Sequence, residues 1–432
     1  MAEPRRLQQT IGVPGAVILG LGAMMGTGVY VAMGLAAGLV GDWLLVTILV
    51  ASVVATCNAL SSAQLAAAHP ISGGTYEYAY RYLNPTLGFS AGWFFLCAKS
   101  ASAATAALGA GGYLVSLAAP NQQQWAYYCG LVLVVFIGAV AYSGVAKSKL
   151  TTFLLVFVSL GTLVLFIALA VTSSGGVASE VNETVILDIT GLGFLEATAL
   201  VFVAFTGYGR IATLGEEVHE PRRTIPLAVY STVAVVTLVY LGVAWQCLAV
   251  LGVGQYEEAA REGLAPVSLA SQMLGYSWLP ALISVGALCA LLGSLLNLIL
   301  GLSRVYLAMG RRNDLPPAFA RINEQATTPS VATLTSIIVI FVIALMGSIK
   351  AAWSFSALSV LLYYTLANSS ALMVSVEDRF IPRWVSVIGL VCCATLAVAI
   401  EPIYWLIAAG LVLSGFIIRA ISQRMTGKSP AS

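Results

Sequence analysis

The sequence predicts an all-α integral membrane protein of twelve transmembrane helices, arranged as a five-plus-five inverted repeat with discontinuous helices 1 and 6. Three observations carry this. The chain of 432 residues is 59% hydrophobic and only 9% charged, against roughly 25% charged in soluble domains. About twelve apolar runs of roughly 20 residues, the length that crosses a bilayer, fit into it with little left for a separate domain. Two of those runs carry glycines at mid-depth: GAMMGTGVY, Gly22 to Tyr30, and FTGYGRIATLGEEV, Phe205 to Val218.

Glycine in a helix interior costs roughly 1 kcal/mol relative to Ala. A spanning helix tolerates it where the backbone is meant to open. An opened helix exposes N–H groups on one half and carbonyls on the other, and such backbone survives in a membrane only where it lines a protein cavity. Paired interruptions in two halves of a chain point to the midplane binding site of an inverted-repeat transporter.

Charge placement orients the spans. The formal net charge is only +2, but Lys and Arg collect at Arg5 and Arg6, Arg81, Lys147 and Lys149, Arg222 and Arg223, Arg311, Arg312 and Arg321, Arg379 and Arg383, and Arg419, Arg424 and Lys428. Of the alternate loops, only Arg261 and Lys350 carry a positive charge. By the positive-inside rule both termini are cytoplasmic, the number of spans is even, and a plasma (inner) membrane location is expected. The basic tail is an orientation signal for the bilayer and not a nucleic-acid patch. Seven cysteines all lie in apolar runs without metal spacing, and two histidines cannot build a metal cluster, so no cofactor is expected. The first apolar run is too long for a signal-peptide core and is read as span 1.

Taken in order, span 1 covers about Ile11 to Val40 with its break at Met25 to Gly28, and span 2 about Leu44 to Ala68. His69 to Trp93 is amphipathic and aromatic, an interfacial helix leading into span 3, Thr86 to about Leu117. Span 4 covers about Trp125 to Tyr142 and span 5 about Leu150 to Val171, ending the first half at residues 11–171. Thr172 to Thr190 is polar, lacks Lys and Arg, and holds the glycosylation sequon Asn182-Glu183-Thr184, which matters only in a secretory eukaryote. Span 6 covers about Phe194 to His219, with Pro221 and Pro226 marking its end. Span 7 covers about Leu227 to Leu251, and Gln255 to Met273 is an outside, partly helical loop. Spans 8 to 10 cover about Pro280 to Met309, Ser330 to Gly347 and Ala352 to Val374, completing the second half at 194–374. Spans 11 and 12, about Trp384 to Ile400 and Ile403 to Ile421, are an appendage at 384–421 to a single transporter domain.

Four blocks carry a family resemblance: GAMMGTGVY, PISGGTYEY with NPTLGFSAGW, FTGYGRIATLGEEVHEPRRTIP, and GLSRVYLAMGRRNDLPPAFA. With them, the chain from span 1 through span 10 resembles the amino acid–polyamine–organocation (APC) superfamily of amino acid permeases. The resemblance implies the LeuT-like fold and secondary active transport of an amino acid by alternating access. It also implies that the backbone of Gly26, Thr27 and Gly28 holds the substrate carboxylate. The carbonyl of Met24 and those near Val203 and Thr206 would receive the ammonium, and Phe205 and Tyr208 would line or cap the pocket. The physics agrees, because the positive end of a half-helix favours an anion and unwound carbonyls favour a cation. Close helix packing through small residues is the competing explanation of the same glycines.

Charged groups inside the spans are functional candidates by default. Lys99 lies about 20 Å into span 3 at 1.5 Å per residue. It is set in AKSASAATAALGAGG, Ala98 to Gly112. Proton-coupled relatives often carry a lysine in span 5, where this chain has Ser159. Either Lys99 supplies that charge from span 3, or Ser159 with Ser294 and Asn297 of span 8 forms a small polar site suited to sodium. Arg210 follows the second break directly. Glu216, Glu217 and Glu77 are expected in a gating network with Arg81 or Arg222, solvated helix-end charges being the alternative. No acidic residue flanks the span 6 break, which argues against a dedicated arginine or lysine carrier.

The expected function is therefore proton-coupled symport of a zwitterionic amino acid, with exchange or sodium-coupled symport as alternatives. A non-transporting sensor would carry a soluble output domain, and too few residues follow Ile421 for one. A membrane enzyme would need a polar catalytic cluster that the spans do not supply.

Overall fold

A computed structural model describes residues 12–69, 74–144, 149–173, 191–212, 218, 220–322 and 329–426. All elements among them are helical. Helix α1 (Val13–Met24) places Pro14 in its first turn, where the missing N–H would lack a partner anyway. It stops at Met24. Met25 leaves helical geometry at φ −80°, ψ 77°, and the Gly26 amide turns back to Met24 O at 2.9 Å. The chain re-enters helix as a π-helical turn, Gly28–Ala32, followed by α2 (Met33–Val40). Gly41, at φ +52°, permits the turn into α3 (Leu44–Ala68).

The aromatic linker forms α4 (Thr75–Tyr82), and α5 (Pro85–Ala118) follows at once. Its start is written in Asn-Pro: the Asn84 side chain accepts the Leu87 amide at 2.8 Å, and Pro85 takes the first helical position. Then come α6 (Ala126–Tyr142), α7 (Lys149–Ser173) and α8 (Gly191–Phe205). After α8 the backbone tightens into a 3₁₀ turn, Thr206–Tyr208, and one further turn, α9 (Gly209–Ala212). The remaining elements are α10 (Pro221–Arg261), kinked at Gly252, α11 (Pro266–Gln272), α12 (Leu279–Arg311), α13 (Ser330–Leu345), α14 (Ile349–Leu372), α15 (Arg383–Val398) and α16 (Pro402–Thr426).

Among the described residues nine stretches are long and apolar enough to cross a bilayer, and α13 and α15 are shorter apolar helices at the positions expected for spans 9 and 11. Helix α5 forms the centre, packed against α12, α14 and α6. Its Ala98–Gly112 stretch is buried apart from the half-buried Lys99, because Ala, Ser and Gly let neighbouring backbones approach closely. Large apolar side chains face outward instead, among them Val132, Phe136, Phe157, Leu238 and Leu406. Outward-facing apolar surface of that kind fits a bilayer as solvent.

Two sequence expectations are corrected here. Pro221 and Pro226 do not close span 6; both lie in α10, which starts six residues before the expected Leu227. Pro221 occupies the first turn, where proline fits, and Glu220 makes the junction at φ +45°. The second break is not an unwound strand at Thr206: Phe205 and Gly209 keep right-handed helical angles on either side of a tightened turn. Arg5, Arg6, Lys147, Lys428, the sequon at Asn182, and Glu216 and Glu217 lie outside the described residues.

Candidate functional site

The two interruptions touch. A methyl group added to Gly207 would collide with the backbone of Ala23 and Met24, so the 3₁₀ turn lies directly on the end of α1. A methyl on Gly28 would sit 2.5 Å from Ala204 Cβ and 2.6 Å from the Tyr240 hydroxyl. Neither position has room for a Cβ: at Gly207 the obstacle is backbone, and at Gly28 it is the Ala204 methyl and the Tyr240 hydroxyl. On the other side of the α1 break, Gly26 faces Ser294, whose buried Oγ has no hydrogen-bond partner.

The polar groups at this junction follow from that contact. After α1 ends, the first bond of the new segment runs from Tyr30 N to Gly26 O at 3.4 Å. The amides of Thr27, Gly28 and Val29 thus begin a helical segment, and such leading N–H groups lack carbonyls from a preceding turn. Met24 O accepts the Gly26 amide at 2.9 Å and lies 2.7 Å from the Tyr240 hydroxyl, which is 3.1 Å from Ala204 O. Val203 O accepts the Thr206 hydroxyl at 2.8 Å. The carbonyls assigned by resemblance to an ammonium therefore hold internal donors in this conformation. Phe205 and Tyr208 are fully buried, Phe205 against Tyr240 and Tyr208 against Tyr364. The Tyr364 hydroxyl reaches Thr206 O at 3.5 Å.

Lys99 comes from α5 to the same turn. Its Nζ donates to Thr206 Oγ1 at 3.1 Å, and that hydroxyl in turn donates a hydrogen bond to Val203 O. No Asp or Glu comes within ion-pair distance of Lys99 among the described residues. The Lys99 amino group thus stands beside the Thr206–Tyr208 turn, 107 residues away in sequence.

The third group of predicted residues also lies together. Ser159 Oγ is 3.1 Å from the Tyr30 hydroxyl. Ser159 and Asn297 line one small cavity with Gly22, Met25 and Cys289, of about 20 Å³. That is room for one water-sized occupant. Ser294 stands one helical turn from Asn297 on α12, against Gly26.

At the basic end of the bundle the expected partners of Glu77 are corrected. Glu77 is held bidentately by Arg312, while Arg222 pairs with Asp378 at 3.9 Å and Arg81 lies over the Tyr82 ring. The reason is tertiary: the loop after α12 brings Arg312 onto α4. The same loop brings Asp314, which is 1% exposed. Asp314 Oδ2 accepts the Tyr76 hydroxyl at 2.7 Å and the Tyr80 hydroxyl, and Oδ1 accepts Arg419 Nε at 2.8 Å. Burial, and then the charge of Asp314, raise both phenols above their ordinary range, so both remain donors. Arg210 has an exposed side chain on α9.

Sequence reasoning missed Tyr240, Asp314 and Arg419. Tyr240 was one aromatic in an apolar run. Asp314 stood in a quoted block, GLSRVYLAMGRRNDLPPAFA, and an acid among arginines was the available signal.

Comparison with known proteins places the chain among carriers. The amino acid permease family model matches residues 15–430. An uncharacterised transporter of Mycobacterium tuberculosis is 40% identical over 422 residues, covering 98% of this chain and 92% of that protein. A branched-chain amino acid permease of Bacillus subtilis is 27% identical over 346 residues, 76% of this chain and 73% of the permease. A mitochondrial cationic amino acid transporter of Arabidopsis thaliana is 26% identical over 391 residues, 86% of this chain and 63% of the relative.

Proposed function

The chain belongs to the amino acid permease family, and from that premise we propose that it is a twelve-span, LeuT-like, proton-coupled amino acid symporter working by alternating access. Both termini face the cytoplasm, and the basic end of the bundle is the inner one. The observation that carries the coupling is the Lys99 ammonium bonded to Thr206 where the second break lies on the first.

The substrate carboxylate is received by the leading amides at Thr27 and Gly28, which carry the positive end of a half-helix. Its ammonium takes the carbonyls of Met24 and Val203 by displacing the Tyr240 and Thr206 hydroxyls that now occupy them. Displacing the Thr206 hydroxyl also disturbs its bond with Lys99. Binding and the charge on the lysine are thereby linked through one side chain. The positive charge that Lys99 carries when protonated disfavours cationic side chains, as does the absence of an acid beside the break.

Uptake into proteoliposomes, with pH and sodium gradients imposed separately, tests this. Lys99→Met is expected to abolish accumulation driven by a pH gradient while keeping counterflow. Full proton-driven uptake by that variant would end the assignment. A sodium-coupled alternative rests on the cavity beside Ser159 and Asn297, and accumulation driven by sodium alone, lost in Asn297→Ala, would favour it.

A further inference from the structure

One ionisable side chain inside an apolar span has no part in the site above. Glu196 lies in the second turn of α8, at the end of the bundle opposite the basic one. It is 9% exposed, and its Oε1 is buried without a hydrogen-bond partner. Among the described residues it forms no ion pair.

The neighbours that act on its charge come from two directions. They are Glu401, in the turn between α15 and α16, and Lys350, in the first turn of α14, neither of them in an ion pair with Glu196. Tyr404 of α16 interacts with Glu196 and Glu401 and approaches Ser354 of α14. Ser354 is fully buried, and its Oγ also lacks a partner. One turn further along α8, the Trp353 indole donates to Leu200 O at 3.0 Å, fastening α14 to α8. On the remaining sides α2 and α3 hold no charged residue, Asp42 at their junction is exposed, and α15 contributes only Arg383 at its far end.

An ionised carboxylate withdrawn from water must find a cation or several donors. Among the described residues no cation pairs with Glu196, and its buried Oε1 has no donor. A proton supplies what is missing, since a neutral carboxyl carries no charge that has to be solvated. We propose that Glu196 is a proton-binding site, separate from Lys99, neutral while α8 is closed against α14 and ionised when that end opens to water. Intramembrane carboxylates used in this way belong to proton relays. Closing this end of the carrier would take up a proton, and opening it would release one.

Infrared difference spectra of purified, lipid-reconstituted protein, recorded between neutral and acid pH without substrate, read the carboxyl C=O band directly. The proton site is therefore tested apart from the transport proposal. Glu196→Gln is expected to lose one titrating carboxyl band present in the wild type, and its counterflow rate to lose the dependence on pH at that end. If Glu196→Gln does not fold, Glu196→Asp carries the test by moving the band. An unchanged carboxyl band in a folded Gln variant, or in the Asp variant standing in for it, overturns the proposal whatever the flux does.

Discussion

Removing Arg419 should destabilise the protein far more than removing Arg312, although both arginines pair with a carboxylate at the same end of the bundle. Arg419 is 8% exposed and Asp314 1%, with Nε to Oδ1 at 2.8 Å and both Tyr76 and Tyr80 donating to the other oxygen. Arg419→Leu leaves a buried carboxylate held by two phenols and no cation. Breaking one partner of a buried pair costs about 3–5 kcal/mol. Arg312 and Glu77 have side chains 42% and 11% exposed, and a pair with one partner in water is worth about 0–1 kcal/mol. The comparison is read by denaturant unfolding in mixed micelles, followed by tryptophan fluorescence. Asp314→Asn combined with Arg419→Leu removes both charges and should recover most of the loss, so that the two substitutions are strongly non-additive in a double-mutant cycle. A single Arg419→Leu variant within about 1 kcal/mol of wild type, or a double variant no better than the single, would refute the reasoning. The pair matters because it ties α16 to the loop after α12 and, through Tyr76 and Tyr80, to α4 at the threshold of α5.

Further expectations concern the junction and its pH response. Tyr240→Phe withdraws the one hydroxyl shared by Met24 O and Ala204 O, and leaving buried carbonyls short of a donor should cost about 1–3 kcal/mol in the same unfolding assay; no loss would mean that water replaces it. His69, just after α3, is lowered from its ordinary value by burial and by Arg81. The folded state then binds that proton less readily than the unfolded chain, so stability rises with pH through this range and falls as pH drops below about 6.5. His69→Gln should flatten that part of the melting-temperature profile, and an unchanged profile would show that His69 does not contribute.

The sequence was most legible where the solvent dictates pattern. Apolar runs set by bilayer thickness located nearly every helix, and the expected start of span 3 at Thr86 lies one residue from the start of α5 at Pro85. It was least legible at Pro226, where a helix breaker sits inside α10, and at Glu77, whose partner Arg312 is 235 residues away. Local composition cannot say which of many surface arginines a fold will bring to one carboxylate.

By itself the amino-acid sequence determined the medium, the helical class and the place of the first break, because hydrophobic length and glycine act locally along the chain. Only the tertiary structure decided that Lys99 meets Thr206, that Tyr240 occupies the Met24 carbonyl, and that Glu196 is buried with no counter-ion among the described residues. Each of those depends on which helix faces which. That choice is made by close packing around α5, where small side chains let many neighbours approach and few residues reveal which one does.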